Sequence, residues 1–112
     1  MRVGVDILDH SRISVLMNDM DDPFWSRTFS PAEHIEAAAR ENKLSYYCGR
    51  FAAKEAVMKC LPSLEGLKET DIEILTAKNG APFLRLKGDI SEISLSISHE
   101  DNYSVAFAVY ND

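Results

Sequence analysis

The chain is poor in the features that would send it to a membrane, a nucleic acid or a disulfide scaffold. No apolar run approaches the roughly 18 residues of a membrane-spanning helix. The opening Met1-Arg2-Val3-Gly4-Val5-Asp6 breaks its first apolar stretch with a carboxylate, too early for a secretory signal. There are only two cysteines, Cys48 and Cys60, and no Cys/His cluster with zinc spacing. On a single helix these two would stand about 18 Å apart, too far to bridge, so both are read as reduced structural fillers. Basic charge is scarce as well. Lys and Arg number 12 against 18 Asp and Glu, a net charge of −6, which argues against nonspecific nucleic-acid binding. Repeats, low-complexity tracts and linkers are absent. These absences imply a cytoplasmic protein without membrane or nucleic-acid partners, and 112 residues leave no room for a second full core. Residues 1–112 are expected to form one domain.

What is present is strong local patterning. Val3, Val5 and Ile7 alternate with Gly4, Asp6 and Leu8, which predicts a strand over residues 2–8. Asp9-His10-Ser11 offers helix caps, and a helix to about Met17 is expected before Asp21-Asp22-Pro23 breaks it. A short aromatic segment starts at Phe24-Trp25. Ser30-Pro31-Ala32-Glu33 is a helix start with a capping Ser, Pro at the first position and Glu at the third. A longer helix is expected over residues 43–60, with Leu44, Cys48, Phe51, Ala52, Glu55 and Lys59 on one face, ended by Leu61-Pro62. After a loop containing Gly66, strands 71–76 and 82–86 are joined around Asn79-Gly80, a hairpin signal. A final pair shows clean period two: Ile93, Leu95 and Ile97 alternate with serines, and Tyr103, Val105, Phe107 and Val109 alternate with Ser104, Ala106, Ala108 and Tyr110. This order implies an α+β domain with helices packed on a mostly antiparallel sheet.

The chemistry concentrates in Gly49-Arg50-Phe51-Ala52-Ala53-Lys54-Glu55-Ala56-Val57-Met58-Lys59. A carboxylate at Glu55 falls within an apolar stripe, where a buried charge is costly unless something binds it. Glu55 and Lys59, four residues apart, read either as a surface ion pair of about 0.2–0.5 kcal/mol or as the edge of a cleft. Asp6, flanked by Val5 and Ile7, is a second carboxylate in an apolar setting. Two such carboxylates suggest a hard-cation site, and such a cation suggests phosphate chemistry. Arg50 and Lys54 form either a solvated face or a phosphate grip. His99, where a strand meets a turn, is a turn residue or a ligand contact. Arg12 and Arg27 read as surface residues that could meet an acidic partner.

In order and content these segments resemble the holo-acyl-carrier-protein synthase family of 4′-phosphopantetheinyl transferases. The opening Val3-Gly4-Val5-Asp6-Ile7 with Ser11-Arg12-Ile13, then Phe29-Ser30-Pro31-Ala32-Glu33, Asn79-Gly80-Ala81-Pro82 and Leu95-Ser96-Ile97-Ser98-His99 are each similar to a family segment. Gly49–Ala56 matches the family signature almost letter for letter. The resemblance implies that Asp6 and Glu55 hold Mg²⁺, that Glu55 is the base, and that Lys59 stabilises charge on departing 3′,5′-ADP. It implies that Arg50, Lys54 and His99 contact coenzyme A, and that Arg12 and Arg27 meet an acyl carrier protein or similar carrier domain. It further implies a homotrimer with sites at subunit interfaces, serving lipid or polyketide biosynthesis. A family member that binds coenzyme A or a carrier without turnover is the alternative. Two departures stand out. The family's Gly-Thr-Gly loop is replaced by Leu61-Pro62-Ser63-Leu64-Glu65-Gly66, and Asp19, Asp21 and Asp22 follow the first helix, where an acidic carrier would be repelled.

Overall fold

In a computed structural model, which describes residues 1–111, the elements run β1 (Arg2–Asp9), α1 (Ser11–Ser14), α2 (Pro23–Thr28), α3 (Pro31–Ala38), α4 (Lys43–Cys60), β2 (Ile72–Thr76), β3 (Pro82–Leu86), β4 (Asp89–Ile90), β5 (Ser94–His99) and β6 (Tyr103–Tyr110). Strand pairing is antiparallel throughout, in two three-stranded sheets ordered β1-β6-β5 and β2-β3-β4. The α+β class expected from the sequence is the class observed. Among the described residues no helix is long and apolar enough to cross a membrane.

Three local expectations change. The first helix stops at Ser14 and continues only as a 3-10 turn over Leu16–Asn18, instead of reaching Met17 as one helix. The aromatic segment becomes α2, started by Asp22, whose carboxylate accepts from the Phe24 amide at 2.9 Å, and by Pro23 at its first position. The two-residue strand β4 pairs with β3 after the turn at Lys87-Gly88, both at positive φ.

Helix α4 organises the rest. It lies across the inner face of β1-β6-β5, to which Gly4, Asp6, Leu8, Ser104, Ala106, Ala108, Leu95, Ile97 and His99 all belong by register. Contact is close because small residues permit it. A Cβ on Gly4 would overlap the Ala56 carbonyl oxygen, and a Cβ on Gly49 would come within 2.5 Å of the His99 ring. Gly49 and Ala56 are two turns apart, about 10 Å of rise, which is close to two strand spacings. The helix therefore crosses from the β5 edge to the β1 edge. Ala52, Ala53, Ala56, Ala106 and Ala108 are fully buried along that seam, with Cys48 and Cys60, whose thiols are both free. Burial pushes the Cys48 thiol up to about 12.

The other side of α4 meets the edge of the second sheet. β2 pairs only with β3, so one of its rims needs partners from elsewhere. Four charged side chains supply them. Lys54 donates to the Ile72 carbonyl and Arg50 Nε to the Ile74 carbonyl at 3.1 Å. The Glu33 and Glu36 carboxylates accept from the Ile74 and Thr76 amides, both at 2.9 Å. Glu33 also closes a capping box with Ser30, so one carboxylate starts α3 and fastens it to β2.

Candidate active site

Two charged regions lie along α4. The first gathers at the β1 edge. Lys59 Nζ donates to the Val5 carbonyl at 2.8 Å and to the Asp6 carboxylate at 3.2 Å. The Glu55–Lys59 pair offered as one reading of the sequence is not the pairing found: Lys59 turns instead to the strand that α4 packs on, where a carbonyl and a carboxylate are both within reach. Glu55 is half-buried beside them. Burial, followed by the negative charges of Glu69 and Asp6, raises its carboxyl above the usual range, against the opposing pull of Lys59 and Arg12. Asp6, Glu55, Lys59 and Arg12 thus share one electrostatic neighbourhood. A carboxylate raised in this way is a stronger base than an ordinary one, as suits accepting a proton from a substrate.

Excess negative charge marks the same place. One Glu69 carboxylate oxygen is buried without a hydrogen-bond partner, and Glu69 acts on Glu55 as a like charge. Among the described residues no group of three or more His, Cys, Asp or Glu side chains is placed to hold a metal ion. Asp6 and Glu55 offer two carboxylates. That donor set fits a hard divalent cation of the kind that completes its shell with water and the phosphates of a ligand.

The second region is cationic. Arg40, Arg50 and His99 border a cleft of about 200 Å³ closed by Thr76, Gly80, Pro82 and Ile97. All three also border an adjoining hollow that includes Asn42, Ser45 and Tyr46. Both guanidiniums donate to the Thr76 hydroxyl, from Arg40 at 2.9 Å and from Arg50 at 2.6 Å. They flank the Tyr46 ring, with the Arg50 guanidinium 4.3 Å and that of Arg40 5.0 Å from its centre. Glu36 accepts from Arg50 at 3.4 Å and from the Tyr46 hydroxyl at 2.8 Å. The arginines are thereby held in place, with Glu36 paired to Arg50, and their clustering suits a cleft for an anion. Burial, then the charges of His10 and Arg50, keeps the His99 ring below the ordinary histidine value.

The sequence-derived residues therefore separate. Asp6, Glu55 and Lys59 come together, as do Arg50 and His99. Lys54 does not join them. Its ammonium has no exposed surface and is bonded to Glu33 at 2.8 Å, to the Glu69 carbonyl at 3.1 Å and to the Ile72 carbonyl. An ammonium has three donors, and all are taken. The expected contact with a ligand is replaced by a structural one. Arg12 and Arg27 are exposed, on α1 and α2. Arg40 was not anticipated. Nothing in local spacing connects it to Arg50, and the bend between α3 and α4 brings them together.

The match to known proteins runs nearly the whole length. Residues 2–108 match the family described as the 4′-phosphopantetheinyl transferase superfamily. A holo-[acyl-carrier-protein] synthase of Thermodesulfovibrio yellowstonii is 36% identical over 107 residues, covering 96% of this chain and 95% of the relative. The crystal structure of holo-[acyl-carrier-protein] synthase from Neisseria meningitidis superposes with a TM-score of 0.85 at 29% identity, over 99% of this chain and 98% of that one. A Bacillus anthracis holo-(acyl-carrier-protein) synthase in complex with CoA (3′,5′-ADP) superposes with a TM-score of 0.80 at 29% identity, over 96% and 92% of the two chains. The chain belongs to the holo-acyl-carrier-protein synthase family of 4′-phosphopantetheinyl transferases.

Proposed function

We propose that the protein transfers 4′-phosphopantetheine from coenzyme A to a serine of an acyl or peptidyl carrier protein, releasing 3′,5′-ADP, with Mg²⁺ as the metal. The observation that carries this reading is the pairing, along one helix, of an acidic neighbourhood holding a raised carboxyl with a cationic cleft. Coenzyme A asks for both: cations for its nucleotide phosphates, and a cation-binding site where its pyrophosphate is cleaved.

The carrier hydroxyl attacks the phosphorus nearer the pantetheine. A new phosphate ester forms, the bond from the attacked phosphorus to the bridging oxygen breaks, and 3′,5′-ADP leaves on that oxygen with the bonding electrons. Glu55 takes the hydroxyl proton. Lys59, half-exposed on a flexible stem, turns from Asp6 toward the oxygen that gains charge. Asp6 and Glu55 would hold Mg²⁺, which would neutralise the pyrophosphate and polarise the phosphorus under attack. Arg40, Arg50 and His99 hold the nucleotide end.

Assembly as a homotrimer is part of the proposal. The outer face of β1-β6-β5 exposes Val3, Val5, Ile7, Val105 and Phe107, with Val5 52%, Ile7 65% and Phe107 44% accessible. A contiguous apolar face of this kind is unusual on a monomer. It continues past Tyr103 to His99 along a hollow of about 360 Å³, so a neighbouring subunit seated there would also border the cationic cleft. The free buried thiols of Cys48 and Cys60 fit a reducing, cytoplasmic setting. Exposed Arg12, electrostatically coupled to Glu55, and Arg27 are the proposed carrier contacts, whereas Asp19 and Asp21 beside them disfavour the most acidic carriers.

The test is intact-mass measurement of apo carrier proteins incubated with the protein, coenzyme A and Mg²⁺. A gain of one phosphopantetheine, absent with Asp6→Ala, is expected. No gain on any of a broad panel of carriers, with coenzyme A bound, would make the protein a binder without turnover. Equal turnover on ordinary acidic fatty-acid carriers would remove the selectivity attributed to Asp19 and Asp21.

A further inference from the structure

Behind His99 lies a second histidine that the reaction above does not use. Ser104 is fully buried, opposite Leu8 on one neighbouring strand and His99 on the other. Its hydroxyl oxygen stands 2.7 Å from His10 Nε2 and 2.8 Å from His99 Nδ1. His10 is buried, and its amide donates to the Asn102 carbonyl at 2.8 Å, so the β5–β6 turn holds both rings. Gly49 completes the arrangement. The His99 edge carrying Cε1 and Nε2 lies against its Cα, in the space that any other side chain at position 49 would fill. The inner nitrogen of His99 thus meets Ser104, and the ring borders the cleft of Arg40 and Arg50.

We infer that His10 and Ser104 are positioning residues, a hydrogen-bonded relay that keeps a proton on the outer nitrogen of His99 and so tightens the cationic cleft on the phosphate monoester of its nucleotide. The inference rests on the coenzyme A reading of that cleft. A serine hydroxyl has one proton to donate, so it donates to one ring and accepts from the other. If His10 donates to Ser104, then Ser104 donates to His99 Nδ1, and His99 carries its proton on Nε2. With His99 charged the chain reverses: Ser104 donates to His10 and accepts from His99 Nδ1, so the inner N–H of the imidazolium is satisfied. Protonating both rings would leave the serine proton without an acceptor in a fully buried site. The two rings therefore carry at most one positive charge between them, and an anion in the cleft favours placing it on His99.

The surrounding charges agree with this direction. Burial, then the charges of His10 and of Arg50 on α4, disfavour a charged His99 in the absence of an anion, and Arg40, between α3 and α4, borders the same cleft. Glu36 on α3 is engaged by Arg50, and Asp9 beside His10 is engaged by the Ser11 amide. Glu100 and Asp101 in the β5–β6 turn are exposed. A bound phosphate offsets the arginine charge and so removes one of the charges opposing His99 protonation. Ligand binding is then accompanied by proton uptake.

The probe is adenosine 3′,5′-bisphosphate, titrated calorimetrically in buffers of different ionisation enthalpy, which counts protons taken up. In the wild-type protein uptake is expected as pH rises through the ordinary histidine range. Ser104→Ala and His10→Phe are expected to weaken binding about tenfold, the weight of one charge-assisted hydrogen bond, and to reduce the uptake. His10→Gln, which can still donate to or accept from Ser104, is expected to restore most of the affinity. In turnover, Ser104→Ala raises KM for coenzyme A and leaves kcat near wild type. Nitrogen-15 NMR of the free protein reads the His99 tautomer without any ligand: Nε2–H in the wild type, a mixture in Ser104→Ala. Unchanged affinity, proton uptake and tautomer in Ser104→Ala would overturn the relay. Failure of the wild-type protein to bind the bisphosphate would instead overturn the reading of the cleft, and the NMR result would still decide the relay.

Discussion

Lys54 and Lys59 are five residues apart on one helix, and each pairs with a carboxylate, but the two pairs differ wherever burial matters. The Lys54 and Glu33 side chains have no exposed surface at all, whereas that of Lys59 is 53% exposed and that of Asp6 19%. Burial pushes the Lys54 ammonium below its usual value, opposed mainly by Glu33, so this charge persists only because its surroundings answer every donor. The Lys59 ammonium is wet, loosely held and free to change partner. The same residue types within one signature therefore serve opposite ends. The closed side joins α3, α4 and β2 into a scaffold, and the open side leaves carboxylates and an ammonium available for chemistry.

The largest expected effect lies on the open side. Glu55→Gln should lower turnover by about 10²–10⁴, the usual weight of a general base, and leave the melting temperature no lower than wild type. A fold lost together with activity would move Glu55 to the closed side. On that side Lys54→Ala leaves Glu33 buried and unpaired, and should cost about 3–5 kcal/mol in denaturant unfolding, a large part of a small domain's stability. The double variant Glu33→Leu/Lys54→Met sharpens the contrast. It removes both charges but strands the Ile72 carbonyl and Ile74 amide, so recovery should be partial; full recovery would mean that the pair contributes nothing beyond packing.

Gly4→Ala should affect both sides. Its new methyl meets the Ala56 carbonyl, so β1 must move away from α4 and carry Asp6 from Glu55 and Lys59. A loss of about 1–3 kcal/mol with a drop in turnover is expected. Acid should act on the closed side. Burial favours the neutral Glu36 carboxyl, but is outweighed by hydrogen bonds from the Thr76 amide and the Tyr46 and Thr76 hydroxyls and by the charge of Arg50, so its pKa lies below the ordinary 4.5. The stability this contributes is present above 4.5 and is lost as pH falls through the lowered value. The stability difference between wild type and Glu36→Gln, followed by denaturant unfolding against pH, should shrink on acidification below 4.5. The smallest effect is Lys59→Ala on stability, within about 1 kcal/mol as for exposed pairs, even though turnover falls.

Much of this was legible in the residues. Period-two alternation located β1, β5 and β6, the Ser30-Pro31-Ala32-Glu33 signature located the start of α3, and the apolar stripe bounded α4 at the residues observed. The acidic neighbourhood was legible because carboxylates are conspicuous in apolar runs. Lys54 was not, since a lysine that will be buried and one that will be wet are identical until a carboxylate from another helix closes over one of them. Arg40 and the His10–Ser104–His99 chain were invisible for a related reason. Their members come from separate elements, and no spacing along the chain records that β1 and β5 flank β6.

Alternation also leaves open which face of a strand points inward. In β1 and β6 the bulky residues Val3, Val5, Ile7, Val105 and Phe107 face outward, while Gly4, Ala106 and Ala108 face the helix. Hydrophobicity alone would favour the reverse. The sequence by itself determined the longest helix, the period-two strands, their order, the family and the conspicuous carboxylates Asp6 and Glu55, because each of those is written in contiguous or regularly spaced residues. Only the tertiary structure decided which face is inner, which lysine is sealed and which histidines meet one serine hydroxyl. Those depend on how closely α4 approaches each strand, and the glycines and alanines that set that distance act through residues far from them in the chain.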